Sequence, residues 1–172
     1  RHAGGGGGGG GGSGGGGGRG ADKVAYRGDA RSRAAQVLER VERDGAYAAP
    51  ALASALSREP VFSPQDRGLC TELVYGVLRT APALDAALER NARAGSISQM
   101  DPLSRAILRI AAYQVLALSR IPPRAAVHSG VEALKRARSA GHARFGNAIL
   151  RKLADAQTES PAPGVQAPAS SG

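Results

Sequence analysis

Eight cationic side chains lie between positions 120 and 152: Arg120, Arg124, Lys135, Arg136, Arg138, Arg144, Arg151 and Lys152. One acid, Glu132, opposes them, so this stretch holds +7 of the chain's formal +9. The chemistry such a cluster offers is the capture of a polyanion. Lys and Arg at helical spacing in an otherwise apolar segment gather on one side of a folded body, and such a patch binds phosphates by releasing their counterions. Nucleic acid is the partner this predicts. The competing reading is a solvated face of an Arg- and Ala-rich protein.

Catalytic chemistry is not legible in the same way. No Ser, His and acid arrangement is identifiable, no carboxylate pair falls in a polar loop at suggestive spacing, and neither HExxH nor CxxC occurs. His2, His128 and His142 are scattered, without metal-ligand neighbours. Lone Cys70 has no partner for an internal disulfide and sits in an apolar helical pattern, which predicts packing rather than nucleophilic chemistry. Positions 4 to 20 hold fifteen of the 25 glycines, interrupted by Ser13 and Arg19. That tract lacks the preceding strand and the GK[ST] ending of a phosphate loop. No catalytic residue, metal site or cofactor is therefore expected.

The elements that position the cationic side chains follow from composition and periodicity. Residues 1–24 are too glycine-rich to offset their ordering entropy and are expected to be disordered, and the Pro-, Ala- and Ser-rich residues 157–172 are expected to form a tail or linker. One domain, residues 25–156, remains. It has neither a membrane-length apolar run nor a signal-peptide core, which makes the cytoplasm the expected location. The chain begins at Arg1 and contains a single Met, Met100, so a sequence incomplete or processed at its start is expected.

Helical periodicity runs through the whole domain, with no alternating β-branched runs, and predicts an all-α bundle of about seven helices. The first follows Asp29, places Ala34, Val37, Leu38 and Val41 on one apolar stripe, and carries Arg31, Arg33, Arg40 and Arg43 on its other side. A short helix follows Pro50. Ser63, Pro64 and Asp66 cap a third, with Leu69, Cys70, Leu73, Val74, Val77 and Leu78 as its apolar face, and Pro82 separates it from a fourth with Leu84, Ala87 and Leu88 inward. Residues 91–99 are expected to be a loop. Asp101 and Pro102 open a nearly all-apolar central helix, Pro122 and Pro123 precede a sixth with Val127, Val131 and Leu134, and Gly141 separates this from the last, with Phe145, Ala148, Ile149 and Leu153. Leu73, Val77, Ile107, Ala111, Val131 and Ile149 are expected to be buried, as are Tyr75 and Tyr113.

Several ordered motifs carry a family resemblance. Gln65-Asp66-Arg67, Glu72-Leu73-Val74-Tyr75-Gly76-Val77-Leu78-Arg79, Leu108-Arg109-Ile110-Ala111-Ala112-Tyr113-Gln114, Arg120-Ile121-Pro122-Pro123 and Phe145-Gly146-Asn147-Ala148-Ile149-Leu150-Arg151 together resemble the NusB-like fold. Tyr75 to Arg79 and Arg120 to Pro123 look closer to the N-terminal domain of RsmB-type ribosomal RNA cytosine-C5 methyltransferases than to the free-standing antitermination factor. The resemblance implies an RNA-binding helical module, which in those methyltransferases precedes an S-adenosylmethionine-binding domain with catalytic cysteines. No such domain is recognisable in the 172 residues, so the chain is expected not to methylate RNA and to be a fragment of a longer protein. The alternative is a stand-alone NusB-type antitermination factor. Implied partners are RNA, ribosomal RNA above all, together with a ribosomal protein or the missing methyltransferase domain.

For RNA contacts the resemblance points to Arg27, Arg31 and Arg33 at the start of the first helix and to Phe145 to Asn147. The charge cluster adds Arg124, Lys135, Arg136, Arg138 and Arg144. Arginine forks bind phosphates bidentately, and an exposed aromatic at Phe145 would stack on an unpaired base. Phe145 also shares a stripe with Ile149 and Leu153, which would make it a core residue.

Overall fold

The computed structural model describes residues 29–92 and 96–159. They form six α-helices and one 3-10 turn, with no strand among the described residues. Helix α1 (Ala30–Asp44) begins where the Asp29 carboxylate accepts the Arg31 N–H at 3.2 Å, and it ends at Gly45, whose φ of 64° a residue with a Cβ adopts only under strain. Short α2 (Ala48–Ser57) holds Pro50 in its first turn, where a missing N–H costs nothing.

Helix α3 (Pro64–Asn91) runs unbroken for 28 residues, where two helices were expected. A reciprocal capping box of Ser63 and Asp66 starts it. Pro82 removes one helical hydrogen bond, yet both Pro82 and Leu78, whose carbonyl loses its partner, lie on the exposed side. That carbonyl's side of the helix is accessible to solvent, and tertiary packing of Leu84 and Leu88 carries the helix past the proline. That merger accounts for six helices instead of seven.

Part of the expected loop at 91–99 is ordered: Ile97–Gln99 make the 3-10 turn, with Ile97 buried and Glu89 accepting its N–H at 2.7 Å. Helix α4 (Pro102–Ala117), capped by Asp101, is the central element and packs against α1, α3, α5 and α6. Helices α5 (Pro123–Ala137) and α6 (Ala140–Glu159) form the most extensive pair. The break between them falls at Arg138, with φ −135° and ψ −86°, while Gly141 belongs to the first turn of α6.

Two glycines set how closely the helices approach. A Cβ on Gly76 of α3 would lie 2.2 Å from the Tyr113 ring, and one on Gly146 of α6 would lie 2.3 Å from Leu134 Cδ1. Leu73, Val77, Ile107, Ala111 and Ile149 are buried as expected, and Tyr113 is 5% exposed. Tyr75 is instead 40% exposed, because Gly76, one residue on and about 100° around the helix, takes the inward position against Tyr113. Val131 is half-buried at the edge of a groove, and Ala148 is exposed. No helix of the described residues is long and apolar enough to cross a membrane.

Candidate nucleic-acid interface

The fold pairs some of the positive charges with carboxylates and leaves others without, exposed Arg40, Arg58, Arg79 and Arg90 among them. On one side, carboxylates are already in place: Arg105 and Arg109 share Glu42, Arg109 also grips Asp85 at 2.6 Å, and Arg43 pairs with Glu39 and Asp44. Arg120 pairs with Glu72, and Arg138 with Asp101 at 2.7 Å. Arg67 is held by the carbonyls of Leu56 and Glu59. On α5 and α6, by contrast, Arg124, Lys135, Arg136, Arg144 and Arg151 are exposed, and none has a carboxylate within ion-pair distance among the described residues.

These exposed cations flank a groove of about 350 Å³ between α5 and α6. Spacings of four and three residues bring Arg124, His128, Val131 and Lys135 to one face of α5, and Arg144, Asn147 and Arg151 to the facing side of α6. Arg124, His128, Asn147 and Arg151 line the groove, and Val127, Val131 and Ala154 supply its apolar part. Asp155 is the single acid in the lining. The Asn147 amide makes no hydrogen bond to any described residue, although its position is half-buried.

The residues expected to contact RNA are thus distributed unevenly. Arg124 and Asn147 meet in the groove, and Lys135 and Arg144 extend its face. Arg136 is exposed beside them. Phe145 is half-buried and packs against the core. Arg138 is engaged by Asp101, whose carboxyl burial pushes up, but which hydrogen bonds from Arg138 and Ser104 hold well below the usual carboxylate range. Arg27 lies outside the described residues.

At the start of α1, Arg31 Nε donates to Gln114 Oε1 at 2.6 Å. Gln114 is 1% exposed and in turn donates to the Ile110 carbonyl. Together they wall a tight crevice bounded by Ser129, Gly130 and Ala133 of α5. Arg33 is mostly buried, with Glu59 and Gln36 as partners. Burial lowers its pKa, and nearby Arg58 adds to the effect. Its charge is compensated inside the fold. His128 and Arg151 are not among the RNA contacts expected from the sequence, although Arg151 belongs to the cationic cluster; the signal for each is its spacing of four, from Arg124 and from Asn147.

Catalytic alternatives find little geometry. Cys70 is buried, and desolvation pushes its thiol up to about 11, far from a ready nucleophile. Ser139 Oγ lies 3.0 Å from His142 Nδ1, but it also accepts the His142 N–H at 3.3 Å, the geometry of a cap at the start of α6. Among the described residues no three His, Cys, Asp or Glu side chains are grouped to hold a metal ion.

Comparison with known proteins decides the family. The NusB family model matches residues 28–155, three quarters of the chain and all but the last few described residues. The chain belongs to the NusB family. This NusB-family chain is 35% identical over 130 residues to the probable ribosomal RNA small subunit methyltransferase B of Synechocystis sp., covering 76% of the chain and 29% of that protein. With the Bacillus subtilis protein of the same name it shares 37% over 120 residues, covering 70% and 26%. With the transcription antitermination protein NusB of Sorangium cellulosum it shares 28% over 132 residues, covering 77% and 94%. The chain therefore spans under a third of the two methyltransferases and nearly all of that NusB. Among solved structures, T. maritima NusB superposes with a TM-score of 0.66 over 73% of this chain and 88% of that one, at 20% identity. A crystal structure of antitermination factors NusB and NusE in complex with dsRNA gives 0.67 over 77% and 98%, also at 20% identity. At that identity the likeness establishes the fold.

Proposed function

We propose that this NusB-family domain, residues 25–156, binds RNA, and that it is the module that positions ribosomal RNA for a cytosine-C5 methyltransferase domain. One observation carries the RNA reading: Arg124 and Arg151, exposed and without a carboxylate partner among the described residues, line one groove between α5 and α6, whereas Arg33, Arg43, Arg105, Arg109 and Arg120 are each paired with a carboxylate. Uncompensated Lys and Arg grouped on one face cost the fold self-repulsion and are suited to phosphates. The methyltransferase assignment is supported by identities of 35% and 37% to two methyltransferases, against 28% to the Sorangium NusB. Methyl transfer itself would belong to a separate S-adenosylmethionine-binding domain, with Cys70 taking no part. The cytoplasm is the compartment that goes with such a substrate.

A second reading, a stand-alone antitermination factor acting with a ribosomal protein, is favoured by the 94% coverage of the Sorangium NusB. Titration with small-subunit ribosomal RNA and with an antitermination leader RNA, each with and without a NusE-type ribosomal protein, separates the two. Preference for ribosomal RNA, indifferent to the protein, is the expected result. Leader RNA bound more tightly once the protein is added would favour the second reading, and failure to bind any RNA at low salt would refute both.

A further inference from the structure

We propose that the outer face of α3 is a docking surface for a protein partner, an amphipathic helix whose apolar stripe is flanked by Asp and Glu. The inference stands apart from the RNA-binding reading, since it uses none of the α5 and α6 residues.

Exposure and spacing carry it. Two of the four large apolar side chains exposed among the described residues, Tyr75 and Leu78, lie one turn apart on this helix. Each begins a row of exposed positions four residues apart: Tyr75, Arg79 and Ala83 form one row, and Leu78, Pro82, Ala86 and Arg90 the other. Rows of that spacing are the ridges with which helices pack, and the furrow between two of them takes a ridge of another helix. From Tyr75 to Arg90 the rows run about 22 Å, enough for about four turns of a partner. Ala83 and Ala86 stand too low to hold a second helix away, so the two axes can approach to about 8 Å there, the near limit for helix pairs. A face that serves only as solvated surface carries charge instead, as the outer side of α1 does with Arg40, Glu42, Arg43 and Asp44.

Charge specifies the partner. Every acid of α3 is engaged within the fold: Asp66 in the capping box, Glu72 by Arg120, Asp85 by Arg109, and Glu89 by Ser96 Oγ and the Ile97 N–H. Arg79 and Arg90 have no carboxylate within ion-pair distance among the described residues. The face therefore presents positive charge beside its apolar rows and no free carboxylate, and the helix complementary to it is acidic. A second copy of this chain fits poorly, because pairing the face with itself about a symmetry axis sets arginine against arginine. Nucleic acid fits poorly too. Arg79 and Arg90 stand about 16 Å apart along the helix, with aliphatic Pro82, Ala83 and Ala86 between them, which gives a phosphate backbone few contacts.

The test titrates the full chain, by fluorescence anisotropy, with a labelled helical peptide of about 20 residues that carries Leu along one stripe and Glu beside it, and with the same peptide bearing Lys in place of Glu. Wild type should bind the Glu peptide at least about tenfold more tightly than the Lys peptide. Arg79→Glu with Arg90→Glu should reverse that order. Ala86→Tyr, which raises the low part of its row, should weaken Glu-peptide binding about tenfold, and Arg124→Gln with Arg151→Gln should leave it unchanged. All the substituted positions are exposed, and circular dichroism establishes that each variant is folded. The proposal is overturned if wild type binds neither peptide, if the reversal variant keeps the wild-type order, or if affinity falls with Arg124 and Arg151 rather than with Arg79 and Arg90. Loss of RNA affinity in folded Ala86→Tyr would assign the face to RNA, and a wild-type dimer that this variant dissociates in sedimentation would assign it to a second copy; either result also overturns it.

Discussion

Neutralising Arg124 and Arg151 together should halve the salt sensitivity of RNA binding, and the size of the change follows from the charges the fold leaves uncompensated. Arg124, Lys135, Arg144 and Arg151 share the groove face without carboxylate partners among the described residues. If each neutralises one phosphate, log affinity falls against log salt with a slope near −3, from about −0.7 per phosphate on a single strand. Between about 50 and about 200 mM salt, wild-type affinity should then drop roughly fiftyfold. Arg124→Gln with Arg151→Gln leaves two contacts, a slope of about −1.4 and roughly a sevenfold loss over the same range. The assay is fluorescence titration of a labelled single-stranded RNA at several salt concentrations, with circular dichroism to establish that each variant is folded. Arg109→Gln is the control. Its guanidinium is already spent on Asp85 and Glu42, so the variant should lower stability and leave the slope alone. A double variant that keeps the full wild-type slope would refute the division into compensated and uncompensated charge.

Arg33→Met should lower unfolding free energy by about 3 kcal/mol, because Glu59 is left buried without its partner, and adding Glu59→Leu should recover most of that loss; urea denaturation measures both. Gly146→Ala should cost about 2 kcal/mol, since the new methyl would overlap Leu134, and thermal melting would show no change if the α5–α6 approach were looser than the structure has it. The folded pKa of Asp101 is depressed, so its contribution to stability is complete above the unfolded carboxylate value, near 4, and is lost as pH falls below it. Asp101→Asn should flatten that acid limb of the stability curve, and an unchanged limb would contradict the Arg138 contact. Cys70 should remain unmodified by a thiol reagent at pH 8 until the protein is unfolded, as its burial and a pKa near 11 require.

Local chemistry made most of the secondary structure readable from the chain. Asp29, Ser63 and Asp101 announce their helices because capping is an interaction within three residues, and the apolar periodicity of α1, α4 and α6 identifies most of the buried faces because it depends on helix geometry alone. Net charge between 120 and 152 pointed to a polyanion for the same reason: it is a sum over the sequence. The errors arose where the outcome depends on what lies across the fold. Pro82 ends a helix in isolation, but here α3 continues because its next turn is packed into the core. Tyr75 is apolar enough for a core, yet the place beside Tyr113 admits only a glycine. Which arginines are available was likewise undecided until the chain folded, because Glu42 meets Arg105 and Arg109 across more than sixty residues of sequence and Glu59 reaches back to Arg33. Arg33 and Arg124 look alike along the chain; folding compensates one and leaves the other on the rim of a groove that exists only where α5 and α6 pack together.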